Sequence, residues 1–178
     1  MSAHDLVFKL VIFGDGGVGK TTLTQRYVTG VFNDGTSMTI GSDFHIKKLQ
    51  IDDKRVLLQI WDFAGERQFR FLLPTYVRGA SGGIFMYDIT RFSSLKNVNE
   101  WLTALTSEQD DLKHIPIVCV GGKADLEDKR AVTPSMARMI AEEQNFIDLV
   151  ECSAKTGDKV EKVFETITRA MMERSGQV

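Results

Sequence analysis

Residues 14–21 read Gly14-Asp15-Gly16-Gly17-Val18-Gly19-Lys20-Thr21, and this stretch decides the fold. It matches G-x-x-x-x-G-K-[ST], with the apolar run Phe8 to Phe13 before it and an amphipathic stretch beginning Thr22-Leu23 after it. A strand, a glycine-rich turn and a helix in that order form a cradle for phosphate. The glycines let the backbone wrap an anion, so that successive N–H groups point at phosphate oxygens and the helix N-terminus adds its positive end. Lys20 is then expected to reach the β- and γ-phosphates, and the Thr21 hydroxyl to ligate Mg²⁺. The plainer alternative is a glycine-rich strand-to-helix turn with no ligand. By itself the loop names a nucleoside triphosphate but neither its base nor the reaction.

Outward from the loop, apolar runs of strand length alternate with amphipathic stretches of helix length. Gly83 to Tyr87, Ile115 to Val120 and Phe146 to Cys152 join Phe8 to Phe13 as short, nearly continuous apolar runs, the pattern of strands buried on both faces. Leu95, Val98, Leu102 and Leu105 line one side of a helix, as do Val160, Val163, Phe164, Ile167 and Met171. One segment breaks the alternation. Ser42 to Ile51 and Lys54 to Asp62 are strand-like and joined by Asp52-Asp53, which predicts an antiparallel hairpin at a sheet edge. The expected fold is α/β: a three-layer P-loop nucleotide-triphosphatase fold, its six-stranded sheet mostly parallel with one antiparallel edge strand, with about five helices. No linker, repeat or low-complexity tract divides the chain, so one domain is expected over residues 1–178.

Composition narrows the function classes. With 43% hydrophobic and 26% charged residues the chain is of the folded, non-membrane kind, and its net charge of −2 gives no basic footprint for nucleic acid. Cys119 and Cys152 lie in apolar runs and are expected as reduced, buried thiols; His4, His45 and His114 match no metal-ligand spacing. No stretch approaches the ~20 apolar residues of a membrane span, and no signal or myristoylation pattern opens the chain. The last residues, Glu173 to Val178, hold no cysteine for prenylation, so that either a tail has been removed or the protein carries no lipid anchor.

Further motifs follow in order. Thr39-Ile40-Gly41-Ser42-Asp43-Phe44, Trp61-Asp62-Phe63-Ala64-Gly65-Glu66, Tyr76-Val77-Arg78-Gly79-Ala80, Tyr87-Asp88-Ile89-Thr90, Gly122-Lys123-Ala124-Asp125 and Glu151-Cys152-Ser153-Ala154-Lys155 together resemble the Ras superfamily of small GTPases, in its Rab form, from Lys9 to Arg174. The resemblance implies a switch that cycles between GTP and GDP with Mg²⁺, and it assigns roles. Gly16, Gly17, Val18, Gly19, Lys20, Thr21 and Thr22 would hold the phosphates, and Phe32 would cover the base. Lys123, Ser153, Ala154 and Lys155 would surround guanine, with Asp125 accepting from its N1–H and exocyclic amine, a pair that adenine cannot form. Thr21, Thr39 and Asp62 would complete the Mg²⁺ shell, and the Gly65 N–H would touch the γ-phosphate. Segments 32–41 and 63–75 would report nucleotide state to effector, exchange-factor and activating proteins, with Phe44, Trp61 and Tyr76 as the presented aromatics. Plain edge packing is the competing account of those three rings. A monomer is implied, cytoplasmic and reaching membranes peripherally through partners, for instance in vesicle trafficking.

Three departures from the family pattern carry expectations of their own. Glu66 stands where the family places the glutamine that orients the attacking water, followed by Arg67 in place of glutamate. A carboxylate there accepts a proton but donates none and is repelled by the phosphate, so hydrolysis is expected to be slow, or to need Arg67 or a partner's arginine. A hydrolysis-deficient GTP-binding module is the alternative. Gly122 replaces the family's asparagine, which predicts weaker nucleotide binding. Phe63 replaces the usual threonine and, with the missing cysteine tail, resembles an archaeal Rab-like relative.

Overall fold

The computed structural model describes residues 4–35 and 42–177. Six strands form one sheet: β1 (Leu6–Phe13), β2 (Ser42–Ile51), β3 (Lys54–Phe63), β4 (Gly82–Asp88), β5 (Ile117–Gly122) and β6 (Asp148–Glu151), in the order β2-β3-β1-β4-β5-β6. Only β2 and β3 pair antiparallel; the other neighbours run parallel. Their hairpin turns on Asp52-Asp53, with Ile51 opposite Lys54, and Arg169 clamps the turn by donating to Asp52 at 3.0 Å.

Successive strand residues point to opposite faces, and the central strands carry apolar residues on both, so the sheet builds two cores. On one face Leu10, Ile12, Ile84 and Val120 meet α1 (Lys20–Thr29) and, C-terminal in the chain, a long helix over Val160–Arg174. On the other, Val11, Phe13, Phe85, Tyr87 and Cys119 meet α2 (Leu73–Tyr76), α3 (Phe92–Lys96), α4 (Val98–Thr106) and α5 (Pro134–Glu143). The Val160–Arg174 helix is α6. Its Val160, Val163, Phe164, Ile167 and Met171 are all buried, as the helical spacing predicts. Both cysteines are buried free thiols that burial pushes up to about 12, so neither is a nucleophile at neutral pH.

The differences from the sequence reading lie at element ends. The run from Leu95 to Leu105 is two helical segments meeting at Asn97, whose amide donates to Asp15 Oδ2 at 2.8 Å instead of continuing the helix surface. β5 starts at Ile117 because Pro116 has no N–H to give the ladder; its carbonyl accepts from Gly83 N at 2.9 Å. Phe146 belongs to the end of α5 and not to β6. Asn145 adopts φ 56°, Phe146 N–H returns to Ala141 O and Asn145 N–H to Glu142 O, which is a Schellman cap with asparagine at the left-handed position. α1 begins at Lys20, two residues before the amphipathic stretch, because the loop delivers the chain directly into helical geometry from Gly19 at φ 102°.

Candidate functional site

The carboxyl ends of β1, β3, β4, β5 and β6 meet along one edge of the sheet, and the connections part there: that from β1 runs to the β2-β3 side and that from β3 crosses β1 to β4. Ligands of open α/β sheets sit at such a point. Here it is a cleft of about 630 Å³ whose walls include Gly16 to Thr22, Phe32, Gly65, Glu66, Lys123, Asp125, Ala154 and Lys155.

The floor of one end is the loop after β1. Lys20 is buried and its ammonium donates to Gly14 O and Asp15 O, each at 2.8 Å. Burial pushes it down to about 8, against the opposing fields of Asp62, Glu66 and Asp15. The Asp15 side chain turns away from the cleft. It accepts from Asn97 Nδ2 and Trp101 Nε1, both at 2.8 Å, which bolts the loop to α4.

Thr21 stands next along α1, and its hydroxyl donates to Asp62 Oδ2 at the end of β3. Asp62 is fully buried, burial raises its carboxyl above the usual range, and its Oδ1 has no hydrogen-bond partner among the described residues. A buried carboxylate oxygen without a donor is costly unless a cation or a cation's water shell satisfies it. Hydroxyl and carboxylate are hard oxygen ligands suited to Mg²⁺, which keeps several waters and shares substrate phosphates. The pair fits that ion. No cluster of three or more His, Cys, Asp and Glu occurs among the described residues, so a protein-only metal cage is not offered there.

At the other end of the cleft the chain turns sharply after β5. Lys123 takes φ 64°, and its ammonium donates to Gly17 O at 2.8 Å and pairs with Asp88 at 2.8 Å, spanning from this end of the cleft to the loop after β1. Ser153, buried, donates its hydroxyl to Asp125 Oδ1 at 2.8 Å and accepts from Thr156 N–H, so it orients the carboxylate without lining the cleft itself. Ala124 N–H donates to Cys152 O at 3.0 Å and couples the two loops.

A model of the family described as Ras matches residues 9–173. The chain belongs to the Ras family. It is 38% identical to the Ras-related protein Rab-1 of Theileria annulata over 99% of this chain and 80% of the relative. To the GTP-binding protein ypt1 of Schizosaccharomyces pombe it is 39% identical, over 97% and 84%, and to the Ras-related protein RAB1BV of Beta vulgaris 40%, over 96% and 79%. It is therefore a Rab-type small GTPase: GTP and GDP are its nucleotides, Mg²⁺ is its metal, and its kind serves vesicle trafficking.

Against this GTPase's geometry, the residues expected from sequence sort into four groups. Gly16 to Thr22, Phe32, Gly65, Glu66, Lys123, Asp125, Ala154 and Lys155 share the cleft. Asp62 and Ser153 are buried behind it, bonded to Thr21 and Asp125. Thr39 lies outside the described residues, as does the rest of 36–41. Arg67 is not brought to the cleft; its side chain is 85% exposed and lies 3.8 Å from Glu100 on the outer surface. Residues 67–76 form a short 3-10 helix, Arg67–Leu72, running into α2.

Phe44, Trp61 and Tyr76 form a continuous row, with ring centroids 4.9 Å and 5.9 Å apart, and Lys9 Nζ sits 4.9 Å over the Trp61 ring. Phe44 is 42% exposed, so the row crosses from the sheet edge to the surface.

Sequence reasoning missed Met86. A Cβ placed on Gly122 would overlap its Cε, and Met86 also lines the cleft. The methionine methyl thus fills the space that a side chain at 122 would use. The signal was present in Phe85-Met86-Tyr87, a large flexible residue on the last turnward stretch of a buried strand, but nothing in one dimension links it to residue 122.

Proposed function

We propose that this chain is a GTP/GDP-dependent molecular switch acting in membrane trafficking, in which Asp125 selects guanine and the loop 14–21 holds the phosphates. The observation that carries the reading is Asp125, whose carboxylate is held by Ser153 at 2.8 Å in the wall of the same cleft as Lys20 and the phosphate loop. In this reading Gly16, Gly17, Val18, Gly19 and Thr22 present backbone donors to the phosphates, and Lys20 exchanges its loop carbonyls for phosphate oxygens. Phe32, Lys123, Ala154 and Lys155 bracket the base. Thr21, Asp62 and Thr39 hold Mg²⁺, which supplies charge neutralisation on the phosphates when bound. Gly65 contacts the γ-phosphate, and its loss on hydrolysis frees segments 32–41 and 63–75. Effector, exchange and activating proteins read those segments and the row Phe44, Trp61 and Tyr76. The single domain works as a monomer, in the cytoplasm or at membranes through its partners, without nucleic acid. Competition between GDP and ADP for the purified protein with Mg²⁺ tests the reading; equal affinity for the two would remove it.

Hydrolysis in this reading turns on Glu66. Its Oε1 lies 2.9 Å from where a Cβ on Gly16 would stand, and its Oε2 is buried without a partner among the described residues. The carboxylate is thus aimed at the phosphate end and not into solvent, where it opposes a γ-phosphate and has no proton to donate to it. Glu66→Gln is expected to raise single-turnover hydrolysis by about ten- to a hundredfold, the range of a repaired donor. Rates equal in wild type, Glu66→Gln and Glu66→Ala would show that the residue has no catalytic part. The same carboxylate favours a second reading, a GTP-binding module without meaningful turnover. Absence of phosphate release in multiple turnover, with and without an added arginine-bearing activator, would select it.

Met86 changes what restoring the family's asparagine should do. Gly122→Asn alone overfills the site and is expected to cost about 1–3 kcal/mol of stability, read as a lower urea midpoint. Met86→Val combined with Gly122→Asn makes room for the amide, and GDP release is expected to slow roughly tenfold relative to Met86→Val alone, for one or two added hydrogen bonds. Equal off-rates in those two variants would remove the claim.

A further inference from the structure

Four consecutive carbonyls of the phosphate loop are each held by a cation. Lys20 holds Gly14 O and Asp15 O, and Lys123 holds Gly17 O. The one between, Gly16 O, accepts from Arg91 Nη2 at 2.7 Å, and Arg91 Nη1 lies 3.8 Å from where a Cβ on Gly17 would stand. Arg91 belongs to none of the motifs that mark the nucleotide cleft.

Its mounting is firm. Arg91 is the residue before α3; its N–H donates to Asp88 O at 3.0 Å, and its carbonyl accepts from Ser94 N–H at 3.1 Å and Ser94 Oγ at 2.6 Å. Asp88, where this turn starts, is the carboxylate paired with Lys123. The cations on Gly16 O and Gly17 O, one from the turn after β4 and one from the turn after β5, are therefore both tied to Asp88.

Geometry fixes the consequence. A trans peptide directs its N–H opposite to its C=O. The Gly16 carbonyl is held from the side of a smaller cavity that Arg91 lines with Gly16 and Gly65, so the N–H of Gly17 faces the other way, toward the cleft. A charge-assisted hydrogen bond to a carbonyl polarises the whole amide and makes its N–H a stronger donor. The Glu66 carboxylate stands over the same residue, with Oε1 2.9 Å from where a Cβ on Gly16 would be. Arg67, the cation expected from sequence to offset that carboxylate, lines the same smaller cavity but is 85% exposed and lies 3.8 Å from Glu100.

We propose that Arg91 is a positioning residue of the nucleotide site: its guanidinium fixes the Gly16–Gly17 peptide with the N–H directed at the phosphates. This rests on the guanine-nucleotide reading above. Arg91 is exposed, so solvent screens its effect and its removal leaves the core intact.

The test is the release of a fluorescent GDP analogue from the Mg²⁺ complex of wild type, Arg91→Ala and Arg91→Lys, with the Gly17 amide resonance of each GDP complex recorded by NMR. Arg91→Ala is expected to release GDP about three- to tenfold faster and to shift the Gly17 amide proton upfield. Arg91→Lys, which keeps a charged donor, should stay within about twofold of wild type, and the gap between wild type and Arg91→Ala should shrink at about 1 M salt, where screening acts within about 3 Å. An Arg91→Ala protein with wild-type off-rate and an unmoved Gly17 amide overturns the proposal. So does an Arg91→Lys protein that behaves as Arg91→Ala does. Wild type that fails to bind the GDP analogue at all would instead overturn the guanine-nucleotide reading.

Discussion

Gly65→Ala is expected to reduce single-turnover GTP hydrolysis by about a hundredfold while GDP affinity changes by only a few-fold. A Cβ on Gly65 would be driven into the backbone of the phosphate loop, overlapping Gly16 N and Cα and the carbonyl carbon of Asp15. Those atoms are not the tip of a flexible side chain. Asp15 is bolted to Asn97 and Trp101, and Gly16 O is held by Arg91, so the loop has little room to yield. The alanine variant must therefore push segment 63–75 outward. That withdraws the Gly65 N–H from the γ-phosphate, and removing one preorganised donor of this type costs about 2.7–4 kcal/mol in the transition state. GDP lacks the γ-phosphate and so feels little of the change. Hydrolysis within about twofold of wild type would mean that Gly65 does not act on the terminal phosphate. GDP affinity lost in parallel would mean that the loop itself had collapsed, which thermal unfolding of the GDP complex would report.

Asp125→Asn is expected to weaken GDP binding by roughly two to three orders of magnitude with little effect on the fold. The carboxylate offers two acceptors, and guanine offers N1–H and its exocyclic amine; hydrogen bonds to a charged group contribute about 1.5–3 kcal/mol each. An amide replaces one acceptor with a donor, which then opposes a donor of the base. Ser153 adds to the penalty, because its hydroxyl donates to Asp125 Oδ1 and must find the remaining carbonyl oxygen instead. Asp125 is part of a loop at the cleft and not of either core, so the unfolding midpoint should move little. Titration calorimetry with GDP and with IDP, which lacks the exocyclic amine, checks the assignment. Wild type is expected to prefer GDP over IDP by about tenfold or more, and an Asp125→Asn protein that binds GDP within about threefold of wild type would put the base elsewhere.

Much of the cleft was legible because it is made of local sequence. Loop 14–21 states its own conformation through glycine spacing, and Lys123 to Asp125 and Ser153 to Lys155 each follow closely on a strand that could be seen as an apolar run, although β6 lies at the sheet edge and is only partly buried. Element ends were less legible. Asn145 ends α5 by a left-handed cap, and Phe146, apolar and adjacent to a strand, is drawn into that cap and onto Phe85 at 6.0 Å between ring centroids. Thr133-Pro134, where Thr133 Oγ1 accepts from Met136 N–H, is a helix start marked by its cap and by proline at the first helical position, not by an apolar period.

The sequence by itself determined the α/β fold, the glycine-rich loop and the segments that line the cleft, because each depends on hydrophobic period and on chemistry within a few positions. Tertiary structure alone decided which cations serve the phosphate loop and what fills the base end. Arg91 reaches Gly16 across 75 positions and Met86 occupies the space beside Gly122, while Arg67, next to Glu66 in the chain, lies against Glu100. Proximity in the chain fixes only backbone neighbours; which side chains meet is set by how the strands order themselves in the sheet. In the order β2-β3-β1-β4-β5-β6 the end of β4 lies beside both the loop after β1 and the loop after β5, and that adjacency has no trace in a linear motif.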